Sequence, residues 1–511
     1  MPIKTRVPAN LDLEALSLTY PFSSLPTKDR SAEYLYHLCS VVFNMKAQRG
    51  GWEPRNGGYF SLCSTILRDI HQDYHKLLEY LVQAGIFETD GLYIQGEKCT
   101  GYRFTERYTG VPFKEVTLKN LTLIGNIRKQ REKIAQHHRD QTKQYSHIVK
   151  WYLTHKLSID REAAMRWVEL YYVDSWLAIV QNAPDRATAD KDRKSLMDVC
   201  TSMKLFIDKL HNSQYDITDF SVDKFGNRLH GLFTSIKKEL RNFITYDGQP
   251  LVAVDVKNSQ PYFSTCMLYA EFWKSQKKRA RHMQWWKVPG IGRREVEGIC
   301  RCGSIMLLDS SETLAHRRLS IGKFRNLAAS GELYEVLQKS FQECLSPEFK
   351  ASQGHRIAHR ANVKRELLRI MYSENSRAHL PFYEPSRAFR RQFPEVYHLF
   401  RAVKHQDYKL LPRIIQRMES HVILDLACKR IAKERPDLPI FTIHDSIITL
   451  VGEEDYVQQV LMEVLTEQVG IPPKLKLEYW LPENAYPIKV WDKYGPDELE
   501  EIDILPFWQC H

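Results

Sequence analysis

Leu251-Val252-Ala253-Val254-Asp255-Val256, followed by Lys257-Asn258-Ser259-Gln260-Pro261-Tyr262-Phe263, decides how the rest of the chain is read. An apolar run of strand length ends on one carboxylate and then breaks into polar residues and a proline. The β-branched and aliphatic residues before Asp255 predict a buried strand. An unpaired buried charge is costly, so an aspartate at the end of such a strand needs compensation, and a metal ion is one candidate. The plainer alternative is an aspartate that caps a turn. Taken alone, the stretch favours the turn cap.

A second carboxylate lies far downstream, in Ile440-Phe441-Thr442-Ile443-His444-Asp445-Ser446-Ile447-Ile448-Thr449-Leu450. Its flanks predict two strands with His444-Asp445 at or near their junction. The His-Asp dyad of a metal phosphohydrolase would sit on a helix with further His and Asp ligands, and the β-type flanks argue against it. Between the two acids, Arg356 to about Arg377 predicts a helix in which Arg360, Lys364, Leu368 and Tyr372 recur every fourth residue and share one stripe. Two cations, one apolar side chain and a ring make a poor core face. They suit the phosphates, sugar and base of a nucleoside triphosphate; a solvated charged helix is the plainer alternative.

The 511 residues carry 73 Lys and Arg against 62 Asp and Glu, a formal net charge of +11 that favours a polyanionic partner, nucleic acid before membrane. The polar start and the lack of a long apolar run predict neither a signal peptide nor a membrane span, and hence a cytoplasmic protein. The ten cysteines are scattered and read as reduced thiols, Cys300-Arg301-Cys302 included. Residues 32–47, 61–70 and 72–84 predict three helices, the last stopping at Gly85, followed by β-like pieces at 86–88, 92–94 and 101–104. That order, and the phrase from Leu77 to Phe87, resemble a winged helix, which binds duplex DNA or a protein partner. Helices follow at 126–156, 160–181 and 192–210, broken at Asn182-Ala183-Pro184-Asp185, as a basic grip on a duplex or a solvated linker. Another is expected from Leu232 to Phe243. Residues 274–302 hold nine Lys and Arg against two Glu, interleaved with tryptophans, which suits a nucleic-acid strand. Val288-Pro289-Gly290-Ile291-Gly292 weakly matches a helix-hairpin-helix turn, and a simple loop is the better reading.

The three signatures in this order resemble the palm-fold polymerases of the DNA polymerase I type (family A) and the single-subunit phage-type RNA polymerases. They are a strand ending in Asp255, the Arg360/Lys364/Tyr372 helix and the His444-Asp445 hairpin, and the resemblance covers roughly residues 225–490. It implies an α+β fold with a right-hand polymerase-like palm and fingers core, a helical thumb-like region and a small N-terminal winged-helix-like domain. The expected division is 1–115 for the winged-helix-like module, 116–222 for the thumb-like region, 223–272 for the first part of the palm, 273–400 for the fingers-like region, and 401–511 for the second part of the palm with an acidic tail.

The resemblance also implies roles. Asp255 and Asp445 would hold two Mg²⁺ ions, with Lys364 as the third catalytic group. Arg360, Tyr372, Leu368, Gln260 and Tyr262 would meet the nucleotide. Arg228, His444 and Gln416 would meet primer and template. Four departures bear on sugar choice, one of them Leu368 in place of Phe or Met. Gln260-Pro261-Tyr262 stands where DNA polymerases of this type have Gln-Ile-Glu, so that Tyr262 is expected in place of their ribose-excluding Glu. Ser446 follows the second Asp, as in the RNA polymerases. Ser373 stands where both groups usually have Gly. Loss of the gate Glu leans towards ribonucleotides, and a bulky Tyr262 could oppose them. The expectation is therefore a DNA-templated RNA-polymerase-like nucleotidyltransferase using nucleoside triphosphates, in replication or transcription. The alternatives are a dNTP-using DNA polymerase and a non-catalytic DNA-binding replication protein with a degenerate palm.

Overall fold

A computed structural model describes residues 2–25, 31–48, 58–94, 98–273, 282–301, 314–354, 357–375 and 383–485. Two hydrophobic cores organise them. The first runs from Val7 to Ile127 and takes in Leu205 from far along the chain; the second runs from Tyr145 to Ala485 and holds the decisive strand.

The first core begins with strand β1 (Ile3–Pro8) and the helix Ala32–Gln48. Strand β2 (Phe60–Ser61), the helices Ser64–Ile70 and Tyr74–Gln83, and strands β3 (Phe87–Thr89) and β4 (Gly101–Phe104) follow. The helix Tyr74–Gln83 buries Leu77, Leu78, Tyr80 and Leu81 on one face. It ends at Gly85, which takes φ +69° while Ile86 N donates to Leu81 O and Gly85 N to Val82 O, a left-handed stop that a side chain would strain. The small sheet has the order β2-β4-β3. Ser61 therefore belongs to a strand, and not to the helix expected from residue 61, because Phe60 is drawn into the core and pairs with Tyr102. Strand β5 (Phe113–Leu118) returns to pair antiparallel with β1, so it runs across the expected boundary at residue 115.

A buried histidine pair makes this first core sensitive to acid. His37 Nδ1 and His71 Nε2 share a hydrogen bond of 2.9 Å. Burial pushes His37 down to about 4, with Arg131 reinforcing, and pushes His71 down to about 3, with His37 reinforcing. Both histidines are thus held below the ordinary 6.5. Below that pH the unfolded chain takes up protons that the native pair refuses, so stability falls as pH drops from about 6.5 towards 4. Amide exchange in the helix Ala32–Gln48 should quicken between pH 7 and 5 relative to that in residues 410–420, after correction for intrinsic rates. Equal relative protection at both pH values would contradict this.

The helix Leu121–Thr142 joins the two cores, with Leu123 and Ile127 packed in the first. It starts five residues earlier than expected, because the Asn120 side chain caps it by accepting from Leu123 N. It also stops earlier. Thr142 Oγ1 donates back to His138 O, and a tight 3₁₀ turn at Lys143–Tyr145 separates it from the helix Ser146–Tyr152. After strand β6 (Leu157–Ile159), the helices Arg161–Asn182 and Arg186–His211 are capped by Asp160 and Asp185, with the expected break between them. Strands β7 (Ser221–Val222) and β8 (Leu229–His230) form a short hairpin. The single helix expected from Leu232 to Phe243 is two pieces, Leu232–Ser235 and a 3₁₀ segment Lys238–Phe243. The hydroxyls of Thr234 and Ser235 both bond Gly231 O and so compete with helix propagation.

Strand β9 (Ile244–Tyr246) turns into β10 (Gln249–Val256). Strands β11 (Phe441–Ile443), β12 (Ser446–Leu450) and β13 (Leu475–Trp480) complete an antiparallel sheet. Strand β10 lies between β12 and β13, pairing Leu251–Asp255 with Leu450–Ser446 on one side and Leu251–Val256 with Trp480–Leu475 on the other. Its central position explains the unbroken apolar run: Leu251, Val252, Ala253 and Val254 are all buried. β9 pairs with the start of β10, and β6 with β9. The observed class is mixed helix and strand. Among the described residues no helix is long and apolar enough to cross a membrane.

Candidate active site

Strand register brings the two predicted acids together. Asp255 is paired with Ser446, the residue after Asp445, and Ser446 Oγ donates to Asp255 Oδ1 at 2.5 Å. His444 and Asp445 form the two-residue loop between β11 and β12, and His444 holds φ +52°. A left-handed backbone at a non-glycine residue costs of order 1 kcal/mol and persists where the surroundings fix it. The strained residue here is the one that sets the direction of Asp445.

Neither acid finds a cation of its own among the described residues. Burial raises the Asp255 carboxyl; the Ser446 hydroxyl lowers it, Glu478 raises it, and Lys476 and Lys364 lower it. Asp445 is raised well above the usual carboxylate range, first by burial, then by the charges of Glu419 and Asp255. Two neighbouring acids that resist ionisation would each be favoured in the charged form by a nearby cation. Their hard oxygen donors suit Mg²⁺, which is commonly held by one or two carboxylates together with substrate phosphates. No group of three or more His, Cys, Asp and Glu side chains able to hold a metal occurs among the described residues.

The helix Arg360–Tyr372 supplies the stripe and is shorter than expected, since Ser373 is already extended and Lys404 Nζ closes its end on Ile370 O and Ser373 O. Lys364 is exposed, and its charge reaches Asp255. Arg360 is ion-paired with Glu335 at 2.5 Å, lies over the Tyr334 ring and donates to Asn258 Oδ1 at 3.4 Å. Leu368 packs, partly buried, against the core. The Tyr372 hydroxyl donates to Gln260 Oε1 at 2.5 Å, and burial raises it, with Glu419 reinforcing.

Tyr262 departs from expectation. Its side chain is wholly buried, and its hydroxyl donates to Ile471 O at 2.8 Å, so it packs under the site and does not face it. The helix Ser259–Ser264 starts directly after Asn258 and turns Gln260 towards Tyr372 instead. Gln260 is therefore the residue of this segment that meets the stripe.

Glu419 joins these parts, and no role for it was expected. It is 1% exposed. Arg228 Nε donates to its Oε1 at 2.9 Å and Arg228 Nη2 at 2.5 Å. Ser259 Oγ donates to its Oε2 at 2.5 Å, and Gln260 Nε2 donates to the same oxygen. A sequence signal existed. Glu419 lies on the apolar face that Leu411, Ile414, Ile415 and Met418 give the helix Leu410–Ser420, and a charged residue there is almost always paired. Gln416, expected at the template, packs one turn earlier against Gly226. Arg417 Nη1 donates to Pro289 O, and the guanidinium crowds Gly290 so closely that a Cβ there would clash, which makes Val288–Gly292 a latched loop. Five of the nine Lys and Arg in the basic run after Trp273 fall at 274–281, outside the described residues, as do 486–511 with the acidic tail.

His444 faces cations. Burial pushes it down to about 4, with Arg228, His230 and Arg241 reinforcing, so it is neutral at neutral pH. Its ring meets that of His230 edge-on at 5.6 Å, and His230 Nε2 lies 3.4 Å from Asp223 Oδ2.

No family model matches the chain, and no curated protein does. Among solved structures it is similar to the POL domain of Pol1 from M. smegmatis in complex with DNA primer-template and dNTP. The identity is 13%, over 86% of this chain and 81% of that one, with a TM-score of 0.29. Likeness at that level leaves function to be argued from the side chains.

Proposed function

We propose that this chain is a template-directed nucleotidyltransferase in which a 3′-hydroxyl attacks the α-phosphate of a nucleoside triphosphate, gaining a nucleotide unit as the α–β bond breaks and pyrophosphate leaves. One observation carries the proposal: the β10–β12 register that sets Asp255 beside Ser446 and Asp445, leaving two carboxylates raised by burial and negative charge. Asp255 and Asp445 are the residues that would hold Mg²⁺. When bound, the metal supplies activation of the attacking hydroxyl and neutralisation of the triphosphate. The remaining work falls to side chains. Lys364 and Arg360 present positive charge on the side of the site that Asp255 occupies. Tyr372 offers a ring to the sugar and base. Neutral His444 and the Arg228–Glu419 pair border the place where a primer end would lie. The helix, strand, helix, helix, strand, strand order of residues 32–104 supports a winged-helix module that engages duplex DNA, beside palm, fingers and thumb-like parts in the remainder.

Sugar choice turns on Gln260. Its amide nitrogen donates to Glu419 and its oxygen accepts from the Tyr372 hydroxyl. The Tyr372 oxygen keeps acceptor capacity, and a ribose 2′-hydroxyl can donate to it, which supports ribonucleotides as substrates. Tyr372→Phe should lower the preference for NTP over dNTP, read as the ratio of kcat/KM in single-nucleotide incorporation, by about tenfold, the worth of one hydrogen bond. An unchanged ratio would remove Tyr372 from sugar recognition. A wild-type preference for dNTP would move the proposal to a DNA polymerase.

A further inference from the structure

A cavity of about 540 Å³ lies where the first core meets the second. That volume suits a ligand of nucleotide size. Its walls come from both bodies: Arg6 and Arg131 from the N-terminal side, and Phe206, Lys209 and Lys237 from the other. None of the acid pair, the Arg360–Tyr372 stripe or the Glu419 network lines it.

Four cations line the cavity against one acid, Asp219. Lys209 is paired with Asp219, and Arg6 with Glu115 at 3.3 Å. Arg131 and Lys237 pair with no carboxylate among the described residues; Lys237 Nζ rests 4.2 Å from the centroid of the Tyr171 ring. Half-buried Phe206 contributes a ring, and buried Leu205, Leu232 and Leu240 contribute apolar wall. An aromatic ring and four cations in one cavity, two of them without a carboxylate partner among the described residues, is the chemistry that holds a base and its phosphates.

We infer that this cavity binds a nucleoside phosphate, as a free nucleotide or as one unit of a nucleic-acid strand. The wall includes Gly231, next in sequence to His230, whose ring touches His444. The inference stands apart from the polymerase proposal, because it concerns binding by residues outside the catalytic centre.

The full chain, carrying Arg360→Ala and Lys364→Ala to suppress nucleotide binding at the catalytic site, is photocrosslinked in separate arms. One uses an azido-adenosine triphosphate competed by ATP, the other a short iodouridine oligonucleotide, and the labelled peptides are mapped. Label should fall at the lining residues, within 202–219 or 231–240 or beside Arg6, Asn44 and Arg131, and drop by about tenfold when Arg131→Glu and Lys237→Glu are added. Gln214→Glu, at an exposed lining position where only charge is added, should also reduce it if unfolding temperature is unchanged. Label from the triphosphate identifies a free nucleotide, and label from the oligonucleotide identifies a strand. Label confined to other segments in both arms, or undiminished by variants that remain folded, overturns the inference.

Discussion

Asp445→Asn is expected to lower nucleotide incorporation by about 10³-fold or more while raising the unfolding temperature. The activity loss follows from removing one of the two carboxylates that would hold the metal, an interaction worth several kcal/mol in the transition state. The stability gain has the opposite sign because the native environment resists charge at this position. The native carboxyl keeps its proton above the ordinary 3.8, pushed by burial and by Glu419 and Asp255. Between 3.8 and the raised native value the folded state binds more protons than the unfolded one, so stability declines as pH rises through that window. At neutral pH, above the ordinary value, the wild type carries this penalty, and a neutral amide removes it. Mg²⁺ should raise the unfolding temperature of the wild type by binding the folded form, and should do so much less for Asp445→Asn. Thermal scans with and without Mg²⁺, beside an incorporation assay, check both halves. A lower unfolding temperature in the variant, or an equal response to Mg²⁺, would point to a structural aspartate.

Glu419→Ala is expected to be the most destabilising single change near the site. It strips the partner from Arg228, whose side chain is 19% exposed, and leaves Ser259 and Gln260 without their acceptor. Breaking a buried pair by removing one member costs roughly 3–5 kcal/mol, because the other charge stays behind. Glu419→Gln should cost less, since one carbonyl oxygen still accepts. The glutamine variant also has a kinetic signature. Glu419 helps to raise Asp445. Neutralising it should move the acidic limb of the pH–rate profile to lower pH, because Asp445 then ionises more easily. Urea unfolding and a pH profile of incorporation test the two effects. A merely structural Glu419 would give the stability loss with an unmoved profile.

The acid pair was legible because strand and carboxylate are local signals. An apolar run of period-free β-branched residues fits a strand buried on both faces, and Asp255 and Ser446 fall into register as that pattern requires. The stripe was legible from helical spacing alone, although Lys404 and the extended Ser373 end the helix sooner than periodicity suggests. Tyr262 was misplaced because family likeness counted residues along a segment in which Asn258, at φ +56°, redirects the chain. After that turn Gln260 points to Tyr372 and Tyr262 points to Ile471. Glu419 escaped because its partners lie 159 to 191 positions away in sequence. No local pattern reports a contact of that range; the clue was a single acid on an apolar face. The long helices were recognised by charge and period, and their ends were set by side-chain hydroxyls that bond back to the chain.

The most direct test of the central claim is one extension experiment with the full chain. It is incubated with Mg²⁺, a primed or an unprimed template, and NTPs or dNTPs, beside Asp445→Asn at equal concentration. Mg²⁺-dependent, template-directed product from the wild type, with NTPs preferred and none above background from the variant, is the predicted result. No product from the wild type in any combination, or equal product from both proteins, would contradict the assignment of Asp255 and Asp445 as a nucleotidyl-transfer centre.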